Sequence, residues 1–170
     1  SQAPVFRLLL INADSICVES ASAVLGYTFA KMEIRVKAVI RGLICLFFLA
    51  GGVAHFLFAQ EFAAIVPPFL PYPVWIVWLT GVFELLIAPL IFLSRWRQRV
   101  GQIMALYCIA VLPANIYQAM AGVAGPGGEL PDTVLWLRIP LQFVLIAAIL
   151  WATSGMIRNQ SSNVNEASRG

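Results

Sequence analysis

Charge is scarce in this sequence: Asp, Glu, Lys and Arg make up 11% of its 170 residues, against about 25% in an ordinary soluble domain. That is too little polar surface to clothe a water-soluble globule of this size. Histidine occurs once, and cysteine three times, as Cys17, Cys45 and Cys108. There is no C-x-x-C pair, no Cys/His pairing and no closely spaced even set of cysteines. A disulfide scaffold, a thioredoxin-like redox pair and a zinc site are thereby excluded, and no metal is expected. Cys45 and Cys108 lie inside apolar runs and read as small buried thiols. The net charge of +3 is no nucleic-acid footprint in such a chain; the placement of Lys and Arg carries the information instead.

What the sequence has is apolar length, with 61% hydrophobic residues. Four stretches, at about 36–58, 74–93, 100–121 and 133–153, can each cross roughly 30 Å of hydrocarbon at about 1.5 Å per helical residue. They lack period-two alternation and are too long for strands. The expected fold is all-α: an integral-membrane four-helix bundle with the lipid bilayer as its surroundings. Lys31, Arg35, Lys37 and Arg41 precede or open the first span, Arg95, Arg97 and Arg99 separate the second from the third, and Arg158 follows the fourth. Residues 59–73 and 122–132 hold no Lys or Arg, only Glu61, Glu129 and Asp132. The positive-inside rule then places both termini in the cytoplasm and the two acidic loops outside.

Residues 1–31 contain two short apolar pieces, neither long enough to span, and lack the order of a signal peptide. Two readings stand for them. Met32 is a natural start, followed at once by Glu33-Ile34-Arg35-Val36-Lys37 as a basic lead into the first span; otherwise the segment is amphipathic and lies on the cytoplasmic membrane surface. The domain boundaries are thus an N-terminal extension 1–31, a four-span domain 32–157, and a polar tail 158–170 expected to be disordered.

Sliding the sequence by 60 residues lays one hairpin on the other: Ala54 falls on Ala114, Leu70-Pro71 on Leu130-Pro131, Val74 on Val134, Phe83 on Phe143, Leu85 on Leu145, and His55 on Asn115. The pattern suggests a parallel repeat about an axis along the membrane normal. Polar residues inside the spans stand out against this background. By depth, His55 lies near the outer end of span one, Glu84 near mid-bilayer, Asn115 in the outer third of span three, and Arg138 one turn into span four, with Gln142 on the same face at i+4. Gln118 lies a turn beyond Asn115. A lone charge facing lipid costs several kcal/mol, so these groups should converge, with Glu84 and Arg138 as an ion pair. The cluster reads either as a polar pin that fixes helix register or as a pocket for a small amphipathic molecule such as a quinone.

The loop from Glu61 to Pro73 carries Pro67, Pro68 and Pro71 among apolar residues, so it should lie in the interface or cover the bundle mouth as a lid. Pro89, Pro113 and Pro140 should kink their spans and release carbonyls near the cluster. Trp75, Trp78, Trp96, Trp136 and Trp151 form interfacial belts, and Gly51-Gly52 permits close helix approach.

At Gly51-Gly52-Val53-Ala54-His55-Phe56, Val66-Pro67-Pro68, Leu70-Pro71, Gly81-Val82-Phe83-Glu84, Leu112-Pro113-Ala114-Asn115 and Leu137-Arg138-Ile139-Pro140-Leu141-Gln142, the chain resembles the DoxX-like family of small bacterial four-helix membrane proteins. The likeness covers about 36–156. It implies a bacterial inner-membrane protein, an accessory subunit of a quinone-linked redox system, and a membrane or soluble redox partner. The spans hold no pair of haem-ligating histidines and the chain has no nucleotide motif, so it cannot be an oxidase on its own. An assembly protein without a ligand and a small transporter built on the repeat are the alternatives.

Overall fold

A computed structural model describes residues 3–126, 128 and 131–155, with side chains from residue 24 onward. The described residues form five helices: α1 (Ala3–Leu57), α2 (Ala59–Ala64), α3 (Pro73–Leu90), α4 (Arg97–Ala121) and α5 (Asp132–Thr153). Four stretches, Val24–Leu57 of α1 and the whole of α3, α4 and α5, are long and apolar enough to cross a membrane. The chain is therefore a multi-pass membrane protein with an all-helical fold. The tail from residue 158, together with Glu129 and Leu130, lies outside the described residues.

Helix ends differ from the apolar runs for local reasons. Helix α1 runs through Met32, and Glu33 and Lys37 pair at 2.9 Å in the i,i+4 arrangement that supports a helix. Beyond Pro89 the chain tightens: Ile91, Phe92 and Leu93 donate to the carbonyls three residues back. The α ladder thus gives way to three-residue turns, and α3 stops at Leu90 instead of 93. Helix α4 starts at Arg97, before its apolar run, since Arg and Gln are good helix formers whatever their hydropathy. Tyr72 takes φ 57° just before Pro73, which opens α3; a residue preceding proline is barred from the right-handed helix. Gly122, at φ 61°, ends α4 in the left-handed conformation.

The chain divides into two compact units, Ser1–Val39 and Ile40–Gly170. The first is the N-terminal stretch of α1, where Lys31 also lies over the Tyr27 ring at 5.8 Å. The second holds the rest of α1 with α2 to α5. Its core gathers Ile44 and Phe48 of α1, Ile87 and Ala88 of α3, Met104 and Cys108 of α4, and Ile149 and Ala152 of α5. These fill the half nearer the α3–α4 turn, whose Ile91 is fully buried. Large apolar side chains such as Leu46, Leu79, Leu106 and Val144 point outward, as lipid-facing positions do. The five tryptophans are all exposed.

Helices α1 and α3 meet along glycine. A Cβ on Gly52 would stand 2.8 Å from Leu85 Cγ and 3.0 Å from the Gly81 carbonyl; one on Gly81 would meet His55 Cβ at 2.9 Å and the Gly52 carbonyl at 3.1 Å. Backbone lies almost against backbone, the contact that small residues make possible between spans.

Candidate functional site

Between the core and the α2 loop the helices of the second unit part around a cleft of about 400 Å³. Helix periodicity builds its walls: Tyr107, Val111 and Asn115 follow one another at i, i+4 and i+8 on α4, and Arg138, Leu141, Gln142 and Leu145 share a face of α5. Phe47 and Phe48 of α1 and Glu84 of α3 complete it. Of the five residues that the sequence singled out, Glu84, Asn115, Arg138 and Gln142 line this cleft, while His55 does not border it and touches Glu84 instead.

Glu84 is 9% exposed. The Tyr107 hydroxyl donates to its Oε1 at 2.6 Å, and its Oε2 lies 3.4 Å from Nδ1 of His55. That oxygen is buried and accepts no hydrogen bond. The His55 Nδ1 lies 2.7 Å from the Gly51 carbonyl; only an N–H can bond there, so Nδ1 carries the hydrogen. Gly51 is needed for a second reason, since a Cβ on it would sit 2.8 Å from Glu84 Oε2. Above this pair the short α2 lays Phe62 flat on the His55 ring, with centroids 4.3 Å apart. Beside it, Phe83 packs on the Tyr107 ring at 4.8 Å.

The expected ion pair between Glu84 and Arg138 does not form: no nitrogen of Arg138 comes within 4.0 Å of the Glu84 carboxylate. Arg138 donates to Gln118 Oε1 at 2.9 Å, and the Gln118 amide in turn donates to the Val123 carbonyl at 3.3 Å. Depth explains the exchange. Arg138 lies within two turns of the start of α5 and Gln118 in the last turn of α4, whereas Glu84 sits deeper, level with Tyr107. Gln118 is 1% exposed, so it satisfies Arg138 without a second formal charge.

Asn115 and Gln142 form a separate amide knot. Asn115 donates to Gln142 Oε1 at 2.6 Å, and Gln142 Nε2 donates to the Cys108 carbonyl, beside the turn that Pro113 deprives of a hydrogen bond. Both ends of the Gln142 amide are thus spent on α4. In a bilayer such interhelical bonds average about 0.6 kcal/mol, with a maximum near 1.7. Gln142→Leu should therefore lower stability by about 1–2 kcal/mol in thermal melts. Adding Asn115→Leu should cost little more, because its partner is already gone; fully additive losses would show that the knot does not tie α4 to α5.

The proline loop is divided. Pro67 is buried, while Pro68 and Pro71 are exposed. Ile65, also buried, reaches the turn after α4, where a Cβ on Gly125 would lie 3.8 Å from its Cγ2. Tyr107 and the bond of Gln118 to Arg138 were missed from sequence. The signal for Tyr107 was present: a tyrosine in mid-span, one face with Asn115, needs an acceptor for its hydroxyl. The chain belongs to the family described as a domain of unknown function (DUF8561), whose model matches residues 44–154. No curated protein and no solved structure matches it.

Proposed function

We propose that this DUF8561 protein is a small membrane component of a quinone-linked redox system, and that its cleft holds the head of a quinone-class molecule. The cleft itself carries the reading. At about 400 Å³ it falls within the roughly 300–1,000 Å³ of small-molecule sites, and like them it joins apolar and aromatic walls to a few convergent polar groups. Arg138 spends one of its five N–H groups on Gln118, which leaves four to offer a ligand carbonyl. Glu84 and Tyr107 stand at the same cleft to meet a hydroxyl. No resident electron carrier is implied, so a partner protein supplies or takes the electrons. The resemblance to DoxX-like proteins points the same way. The Lys and Arg asymmetry favours both termini on the cytoplasmic side of a bacterial inner membrane, and the period of 60 residues favours paired parallel hairpins.

One observation favours a second reading, a structural pin without a ligand: the Asn115–Gln142–Cys108 knot is complete without any guest. Titration of a single-isoprenyl benzoquinone into the protein in lipid nanodiscs separates the two. Saturable binding is expected, weakened at least about tenfold by Arg138→Met, the loss of about 1.4 kcal/mol from one charge-assisted hydrogen bond. Leu106→Ala, on the lipid face, should bind as the wild type does. Absence of saturable binding, or wild-type affinity in a folded Arg138→Met protein, would overturn the quinone reading.

A further inference from the structure

The quinone reading leaves two facts at the cleft unused: the unpartnered Oε2 of Glu84 and the histidine behind it. We infer that Tyr107, Glu84 and His55 form a proton relay between the cleft and the α2 side of the bundle, so that the cleft's ligand gains or loses a proton there. The proposal rests on the reading of the cleft as a ligand site and names the chemistry of that ligand, a compound with an ionisable hydroxyl.

Three observations carry it. First, the groups stand in line: the Tyr107 hydroxyl is hydrogen-bonded to Oε1 at 2.6 Å, and Oε2 lies within ion-pair range of His55 Nδ1 at 3.4 Å. Tyr107 and Glu84 border the cleft, and the His55 side chain keeps 15% exposure against 11% for Glu84. Second, Oε2 is buried without a hydrogen bond. A buried carboxylate oxygen left unpaired is costly, and the cost disappears when a proton lies between it and the imidazole. Third, Gly51 gives that oxygen its room, since any Cβ there would stand 2.8 Å away, while its carbonyl fixes the Nδ1–H.

The transfer balances as a proton movement alone. Nε2 takes up a proton, giving imidazolium; the Nδ1–H bond breaks and an O–H bond forms on Glu84 Oε2, leaving neutral imidazole. The carboxyl of neutral Glu84 then turns its O–H toward Tyr107; the Tyr107 O–H breaks as its proton passes to an anionic ligand oxygen in the cleft, and the Glu84 proton replaces it, which restores the carboxylate. In reverse, the ligand O–H breaks, its electron pair stays on the ligand oxygen, Tyr107 takes that proton and passes its own to Glu84. The titratable and charged groups that face Glu84 are His55 on α1, Tyr107 and Cys108 on α4, and Arg138 across the cleft on α5. Arg138, unpaired with Glu84, favours the anionic ligand and so favours proton release to the relay.

Two measurements on the whole protein in nanodiscs test this. In pH-difference infrared spectra of the ligand-free protein, a protonated-carboxyl band should titrate, vanish in Glu84→Gln, and shift in both His55→Gln and Tyr107→Phe. A band absent from the wild type, or indifferent to both neighbours, overturns the relay. Calorimetric titration of a single-isoprenyl hydroquinone, repeated in buffers of different ionisation enthalpy, counts protons exchanged on binding. His55→Gln, at a residue that does not border the cleft, should bind within threefold of wild type and lose at least half of that exchange. Should His55→Gln not fold, Glu84→Gln gives the same proton count, read at saturating ligand whatever its affinity. Binding with wild-type proton exchange in these variants overturns the relay and leaves the quinone reading in place. No binding by wild type, with the infrared result intact, overturns the quinone reading and leaves the shared proton of Glu84 and His55 standing.

Discussion

Gly81→Val is expected to be the most damaging single substitution, destabilising the protein by about 3 kcal/mol or more. Overpacking a good core costs about 1–3 kcal/mol when side chains can give way. Here the first added carbon already lies 2.9 Å from His55 Cβ and 3.1 Å from the Gly52 carbonyl, and a backbone atom cannot change rotamer. Helices α1 and α3 must separate, and with them the wall that sets Glu84 against His55. Thermal melts in detergent should show the loss, and the infrared band of Glu84 should broaden as its partner withdraws. Leu79→Ala, two residues away on α3 but 67% exposed, should change stability by less than about 0.5 kcal/mol. Similar melting of the two variants would refute a glycine seam between α1 and α3.

Met104→Ala should follow, at about 2 kcal/mol or slightly above. Met104 is fully buried among Ile44, Ile87, Val100 and Ile149. Truncating a buried methionine in a water-soluble protein costs about 2–5 kcal/mol, part of it transfer from water and part the cavity. In a bilayer the separated helices still lie in hydrocarbon, so the transfer part largely vanishes and the lost packing contacts remain. Leu106→Ala, on the same helix and 66% exposed, removes lipid contacts that lipid can remake and should be close to neutral. The contrast between the two is the measurement: equal losses would place Met104 on a lipid face and the core elsewhere.

These effects place stability and chemistry in different halves of the second unit. The apolar core by the α3–α4 turn carries packing, so the polar half is free to keep an unpaired carboxylate oxygen and an open cleft. Strain and unsatisfied groups tolerated next to a well-packed core mark functional sites more often than structural ones.

The sequence by itself determined the class of fold. Four runs free of alternation and nearly free of charge leave helices as the only way to satisfy their backbone in a membrane. It also singled out the polar residues within the spans, because an intramembrane Glu, Arg or His is costly wherever it points. Helix ends were less legible, since hydropathy marks where a span is apolar, not where its hydrogen bonds stop; α3 ends at Leu90, short of its apolar run, and α4 starts at Arg97, ahead of its own. Partner choice was decided only in three dimensions. Depth along a helix can be counted from its ends, but the rotation of each helix about its axis cannot. The glycine seam sets that rotation for α3: Gly81 and Leu85 seat against Gly52, and Glu84, three residues after Gly81, is carried to the same side, toward His55 and Tyr107. Arg138, shallower on α5, was left to Gln118. A periodicity of 3.6 residues fixes which side chains share a face, and only packing fixes what that face meets.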